Sequence, residues 1–103
     1  MFKIQSKRQL TENIFLMDVE SPWVARAAKP GQFIIAIIDE KGERIPLTIC
    51  DFDKVKGTVT LVYQVVGKST ERMAKLDIGD NFKDIVGPLG RESEFLHESE
   101  DKL

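Results

Sequence analysis

The sequence predicts an all-β fold, a six-stranded antiparallel Greek-key barrel with one short helix, and three observations carry it. Short runs rich in β-branched and aromatic residues recur at hairpin spacing, at residues 14–19, 32–38, 44–50 and 58–66. Turn chemistry separates them, with Lys29-Pro-Gly31 before one run and Asp39-Glu-Lys-Gly42 after it. A single segment late in the chain, residues 69–76, has helical spacing with a start and a stop. Strands at this spacing with one late helix fit a small closed barrel.

The elements follow in order. Phe2, Lys3, Ile4 and Gln5 begin an alternating strand that reaches Gln9, and Thr11-Glu-Asn13 turns it back. Residues 14–19 form a second strand, ended by Ser21-Pro22, with a short helical turn at 23–28 under a loop. Residues 32–38 are continuously apolar, which predicts a strand buried on both faces. In the next strand a period of two puts Ile45, Leu47 and Ile49 toward the core and Arg44, Pro46, Thr48 and Cys50 outward. Pro46 has no N–H to give a ladder, so it belongs at an edge or a bulge. Residues 51–57 read as a hairpin loop. Beyond it Val59, Leu61, Tyr63 and Val65 share one face, and Thr60, Val62 and Gln64 the other. Ser69 or Thr70 caps the helix, Met73 and Leu76 point inward, and Gly79 stops it. Residues 82–86 are the last strand, closed by Gly87-Pro-Leu-Gly90.

A chain of 103 residues is one domain. A net charge of −2 gives no broad pull toward nucleic acid or an anionic membrane. No apolar run approaches the roughly 20 residues that span a bilayer, and the N-terminus lacks a signal-peptide stretch, so the expectation is a cytoplasmic protein with neither nucleic acid nor membrane as partner. One cysteine excludes an internal disulfide or an all-cysteine cluster site within these residues. Cys50 reads as a small buried hydrophobe, and Trp23 and Phe33 as core or lid packing. Tyr63 reads as a packed aromatic with a satisfied hydroxyl. His97, the only histidine, lies in a charged tail and reads as solvated. There is no Ser/His/Asp or paired-carboxylate constellation, so no catalytic residue and no metal ligand is assigned.

The residues that carry chemistry lie in two runs. Arg44 and Thr48 flank Pro46 on an outward strand face. Gly67, Ser69 and Thr70 open a helix, where N–H groups without intrahelical partners favour phosphate. A guanidinium, a hydroxyl and a helix start in one small domain point to a phosphate-bearing cofactor with a flat apolar part.

The segments Lys29-Pro-Gly-Gln-Phe33, Arg44-Ile-Pro-Leu-Thr48, Tyr63-Gln-Val-Val-Gly-Lys-Ser-Thr70, Gly79-Asp80 and Gly87-Pro-Leu-Gly90 occur in an order and spacing that resembles the flavin-binding barrel of the ferredoxin reductase-like flavoproteins. The branch it most resembles contains the electron-transfer subunit of dihydroorotate dehydrogenase B and the alpha subunit of NADH-dependent ferredoxin:NADP oxidoreductase. The resemblance implies FAD as cofactor. It implies that Pro46, Leu47 and Thr48 lie along the flavin and its ribityl–phosphate arm, that Val62, Tyr63 and Gln64 flank the flavin, and that Gly67, Ser69 and Thr70 meet the diphosphate. Arg44 stands one residue before the position where many family members carry an arginine, and is taken as a further contact.

The resemblance also implies a parent oxidoreductase that moves electrons between a pyridine nucleotide, FAD and an iron–sulfur centre, with a partner catalytic subunit. The Gly-rich nucleotide-binding domain and the cluster cysteines of that parent are absent from these residues. The expectation is therefore a barrel over residues 1–90, a charged linker over 91–103, and a fragment that does not oxidise NADH by itself. The alternatives are a cofactor-free binding barrel, against which the acidic balance and few aromatics weigh, and a barrel that holds FAD weakly.

Overall fold

The computed structural model describes residues 2–90. The expected linker at 91–103, with His97, lies outside the described residues. The strands are β1 (Ile4–Gln9), β2 (Ile14–Glu20), β3 (Phe33–Ile37), β4 (Arg44–Asp53), β5 (Thr58–Gln64) and β6 (Asp84–Leu89), with helices α1 (Pro22–Ala27) and α2 (Lys68–Ala74). They form one antiparallel six-stranded sheet in the order β1-β2-β5-β4-β3-β6. The hairpin β4–β5 lies inside the sheet and β1 and β6 take its two edges, which is the crossing of a Greek key. The all-β class is as the sequence predicts, with α1 as a second short helix.

The expected closure is incomplete. No ladder joins β1 to β6. An isolated bridge, Lys3↔Asn81, brings the two edges together at one corner. Around it Ile4 N–H donates to the Asp80 carbonyl at 2.8 Å and Phe82 N–H to the Phe2 carbonyl at 3.0 Å.

Alternation decides which residues meet inside. Met17 and Val19, Ile34 and Ala36, Ile45, Leu47 and Ile49, and Val59, Leu61 and Tyr63 form one core with Met73 of α2 and Phe82. The apolar run 32–38 is not buried on both faces: Ile34 and Ala36 are buried, while Phe33, Ile35 and Ile37 are only half covered. No second layer packs outside β3, so the outward side chains stay partly open. β4 runs on to Asp53, so the turn that follows is shorter than expected, and β6 runs through Gly87 and Pro88 to Leu89.

Gly87 sits closer to a neighbouring element than a side chain there would allow. Its φ is +151°, and a Cβ there would lie 2.9 Å from Ile34 Cγ2 and 3.2 Å from the Phe33 carbonyl oxygen. The close approach seats β6 on β3.

The helix α2 is tied down from two sides. Lys7 of β1 donates from Nζ to the carbonyls of Ala74 at 2.6 Å and Leu76 at 2.7 Å, satisfying acceptors at the helix end. Arg72 pairs with Asp39 and Glu43 in the turn between β3 and β4. With Met73 fully buried, the helix lies fixed between β1 and the β3–β4 turn.

Candidate functional site

Pro46 belongs to a strand with neighbours on both sides, yet it stands at a local edge. The β4–β5 pairing covers only Ile49↔Leu61 through Asp53↔Thr58. On the other flank, β4 pairs with β3 along its whole first half, Pro46 opposite Ile35 and Thr48 opposite Phe33. Ile49 N–H donates to the Gln32 carbonyl at 3.0 Å, on the β3 side. Alternation therefore turns the main chain of Thr48 and Pro46 the other way, toward β5. The missing N–H of Pro46 removes nothing from the β3–β4 ladder.

On β5, Val65 N–H donates to the Asn13 carbonyl at 2.8 Å, on the β2 side. Alternation then turns Val62 and Gln64 toward β4. Beyond the last rung at Ile49↔Leu61 no further residue pair joins the two strands. Thr48 N–H and the main-chain groups of Gln64 face the gap in the ladder that this leaves. A β-bulge marks this region, since Ile49↔Leu61 is followed by Asp51↔Thr60 and Cys50 is the extra residue. Cys50 is exposed, on the outward face that the period of two assigns it, which corrects the expectation of a buried thiol.

On the outer face beside this opening lies a shallow cavity of about 330 Å³, lined by Gly31, Phe33, Pro46, Leu47 and Thr48. Pro46 and Thr48 are exposed, and Leu47 contributes to the cavity although most of its side chain faces the core. Gly31 and Phe33 were not among the residues assigned to a site. The Lys29-Pro-Gly-Gln-Phe33 segment was their signal, since a turn ending in an aromatic next to β4 delivers that ring opposite Thr48.

Val62 and Gln64 lie across the opening, but the Tyr63 side chain turns inward. It is only 4% exposed, stacks on Phe15 with centroids 5.6 Å apart, and its hydroxyl has no hydrogen-bond partner. Burial pushes its phenol up to about 12. The expected satisfied hydroxyl is corrected accordingly.

The start of α2 also differs from expectation. Gly67 is the N-cap and Thr70 sits at the third helical position. The Thr70 hydroxyl accepts from Val66 N–H at 2.9 Å and Gly67 N–H at 3.1 Å, and lies 3.0 Å from the Gly67 carbonyl. Thr70 is thus engaged in closing the turn rather than presented outward. The first intrahelical bond is Glu71 N–H to the Gly67 carbonyl at 2.9 Å, so the N–H groups of Lys68, Ser69 and Thr70 precede the helical ladder. Gly67, Ser69 and Thr70 are not in the cavity beside Thr48.

Arg44, at the start of β4, is exposed. Trp23 is 69% exposed and so is not core packing. A larger concavity of about 600 Å³, on the outer face of β1, β2, β5 and β4, contains none of the predicted residues. Its carboxylates are already engaged. Asp18 accepts from Ser6 and Thr60, and Asp53 accepts from Val55 N–H and Lys56 N–H. Among the described residues no group of three or more His, Cys, Asp or Glu is placed to hold a metal ion, and no helix is long and apolar enough to cross a membrane.

No family model matches the chain. A Clostridium beijerinckii relative, an uncharacterized protein in the adh 3' region, is 61% identical over 103 residues, all of this chain and 35% of the relative. A Thermotoga maritima homolog of the dihydroorotate dehydrogenase B (NAD(+)) electron transfer subunit is 42% identical over 92 residues, 89% of this chain and 33% of its own length. The solved NADH-dependent reduced ferredoxin-NADP oxidoreductase, a structure bearing on flavin-based electron bifurcation, superposes with a TM-score of 0.88 at 41% identity, covering 90% of this chain and 34% of that one. A siderophore-interacting protein shares the fold at a TM-score of 0.72 and 14% identity, over 87% of this chain and 40% of its own. The chain spans about a third of the length of the curated relatives it matches. It has the barrel-like ferredoxin reductase-like fold, its sheet not fully closed, and is homologous to part of the electron transfer subunits of dihydroorotate dehydrogenase B.

Proposed function

We propose that the chain is the FAD-binding module of a flavoprotein oxidoreductase electron-transfer subunit. The observation that carries this reading is the end of the β4–β5 ladder at Ile49↔Leu61, beside a cavity walled by Phe33, Pro46 and Thr48. A planar ring with polar edges matches that combination of apolar wall and unpaired main chain. FAD, when bound, supplies hydride acceptance and single-electron transfer, and the protein supplies binding and orientation.

The residues divide the work. Phe33 and Pro46 offer apolar surface. Thr48 offers its hydroxyl and N–H, and Gln64 its main-chain groups, to ring or ribityl atoms, with Leu47 and Val62 completing the apolar contact. Tyr63 stiffens β5 from inside through its stack on Phe15. Arg44 meets the diphosphate as a charge, with Ser69 contributing its main-chain N–H and Gly67 the N-cap turn, while the Thr70 hydroxyl, which takes the Gly67 N–H, holds that turn in shape. No acid–base group is needed, because hydride transfer moves no separate proton at the protein.

In the whole protein, we infer a nucleotide-binding domain for NAD(P)H, an iron–sulfur centre and a partner catalytic subunit, with residues 91–103 as the connecting linker and a cytoplasmic location. The homology to electron transfer subunits supports this reading. The test is titration of the purified chain with FAD and FMN, followed by fluorescence quenching and by the visible spectrum. Tighter FAD than FMN is the expected result. Equal affinity, or tighter FMN, rejects the diphosphate role.

A further inference from the structure

Arg44 is exposed at the head of β4, directly after Glu43 and after the turn that holds Asp39. Neither carboxylate pairs with it. Arg72 takes both, with Nη1 on Glu43 and Nη2 on Asp39, and all three side chains are half-buried. Among the described residues Arg44 makes no ion pair. The second oxygen of Glu43, Oε2, is buried without a hydrogen-bond partner, so it is turned away from solvent rather than presented to Arg44.

From this we propose that Arg72 is a positioning residue of the cofactor site: by neutralising Asp39 and Glu43 it keeps the Arg44 guanidinium available to a ligand diphosphate. The inference rests on the reading of Arg44 as a phosphate contact. Two effects act together. Without Arg72, the carboxylates of the turn would repel an incoming diphosphate, and one of them would pair with Arg44 internally. Arg72 also ties α2 to the β3–β4 turn, so the turn that starts the helix and the head of β4 keep a fixed spacing. A guanidinium suits this role because its planar fork reaches two carboxylates at once, which an ammonium does not do as well. The effect is confined to the phosphate end of the ligand. Arg72 does not line the cavity at Phe33, Pro46 and Thr48, so binding of the bare ring system is left unchanged.

The experiment compares FAD with riboflavin, which has the ring and ribityl arm but no phosphate. Both are titrated at low ionic strength into the 103-residue chain, into Arg72→Gln, into Arg72→Lys and into the triple variant Asp39→Asn/Glu43→Gln/Arg72→Gln. Arg72→Gln is expected to weaken FAD by roughly tenfold and riboflavin by less than about twofold, in line with the effect of unmasking buried charge beside a charged contact. Arg72→Lys falls between, and the triple variant regains most of the FAD affinity. An unchanged ratio of FAD to riboflavin affinity in Arg72→Gln, or a triple variant as weak as Arg72→Gln, overturns the proposal. If Arg72→Gln binds neither flavin, the triple variant decides: recovery of FAD preference supports the charge role, and its absence refutes it. An unsubstituted chain that binds FAD no more tightly than riboflavin overturns instead the reading of Arg44 as a phosphate contact.

Discussion

Single side chains set the properties that a test would reach first. Thr48 presents a hydroxyl beside the opening in the sheet, and Thr48→Ala is expected to weaken FAD by about 0.5–1.5 kcal/mol, the value of one hydrogen bond, measurable by the same quenching titration. Tyr63 is the only tyrosine, so its ionisation can be followed alone by ultraviolet absorbance. Burial raises its phenol to about 12 in the folded chain, against about 10 unfolded. The folded state therefore binds the proton more tightly. Stability from this group is complete below pH ~10 and falls by about 1.4 kcal/mol per pH unit between ~10 and ~12. Urea midpoints should decline over that window and lose the decline in Tyr63→Phe. Because the hydroxyl has no partner, Tyr63→Phe should leave neutral-pH stability equal or higher, by up to about 1 kcal/mol. At this scale parity was a good guide and partners were not. Alternation placed Ile45, Leu47 and Ile49 inward correctly. It gave no sign that Cys50 falls on a bulge, which depends on the partner strand β5, or that the hydroxyl of Thr70 is used within its own turn, since a threonine near a helix start can equally serve as the cap itself.

Elements were legible where local chemistry dominates. Turn residues fixed the hairpins, and the Ser21-Pro22 pair ended β2 as expected before opening α1. The apolar run of β3 misled, since continuous hydrophobicity reads as two-sided burial, whereas its outer face carries the Phe33 wall of the candidate site. Packing between elements was invisible in the sequence, and Gly87 shows it. Gly87→Ala would force a Cβ against Ile34 at a φ that side chains rarely adopt, and is expected to cost about 1–3 kcal/mol, seen as a lowered urea midpoint. Lys7 is a second case. Its two bonds to the end of α2 join residues 67 and 69 positions apart. Lys7→Met should loosen α2 and cost about 1.5–3 kcal/mol, the range for hydrogen bonds from a charged donor. Helical circular dichroism would fall in parallel.

For the molecule as a whole, fold class and cofactor class were the parts the sequence carried most clearly, because they rest on an ordered set of short segments spread along the barrel. The closure of the sheet was not, since one bridge at Lys3↔Asn81 decides it. As the chain spans about a third of the relatives it matches, we expect that loading it with FAD does not make it a reductase. In stopped-flow mixing with NADH, the flavin absorbance of the loaded chain should bleach far more slowly than that of a longer protein containing the nucleotide-binding domain, because these residues carry no Gly-rich nucleotide loop to hold the nicotinamide against the ring. Saturable bleaching at a comparable rate would contradict this. The early end of the β4–β5 ladder has a consequence for the apo chain as well. The amide protons of Thr48 and Gln64 are not locked by sheet bonds, so they should exchange with deuterium far faster than those of Leu61 or Met17 in the continuous part of the sheet. A ligand seated in the opening would stand in for the rungs that β4 and β5 never form, and deuterium uptake at those two positions would slow first.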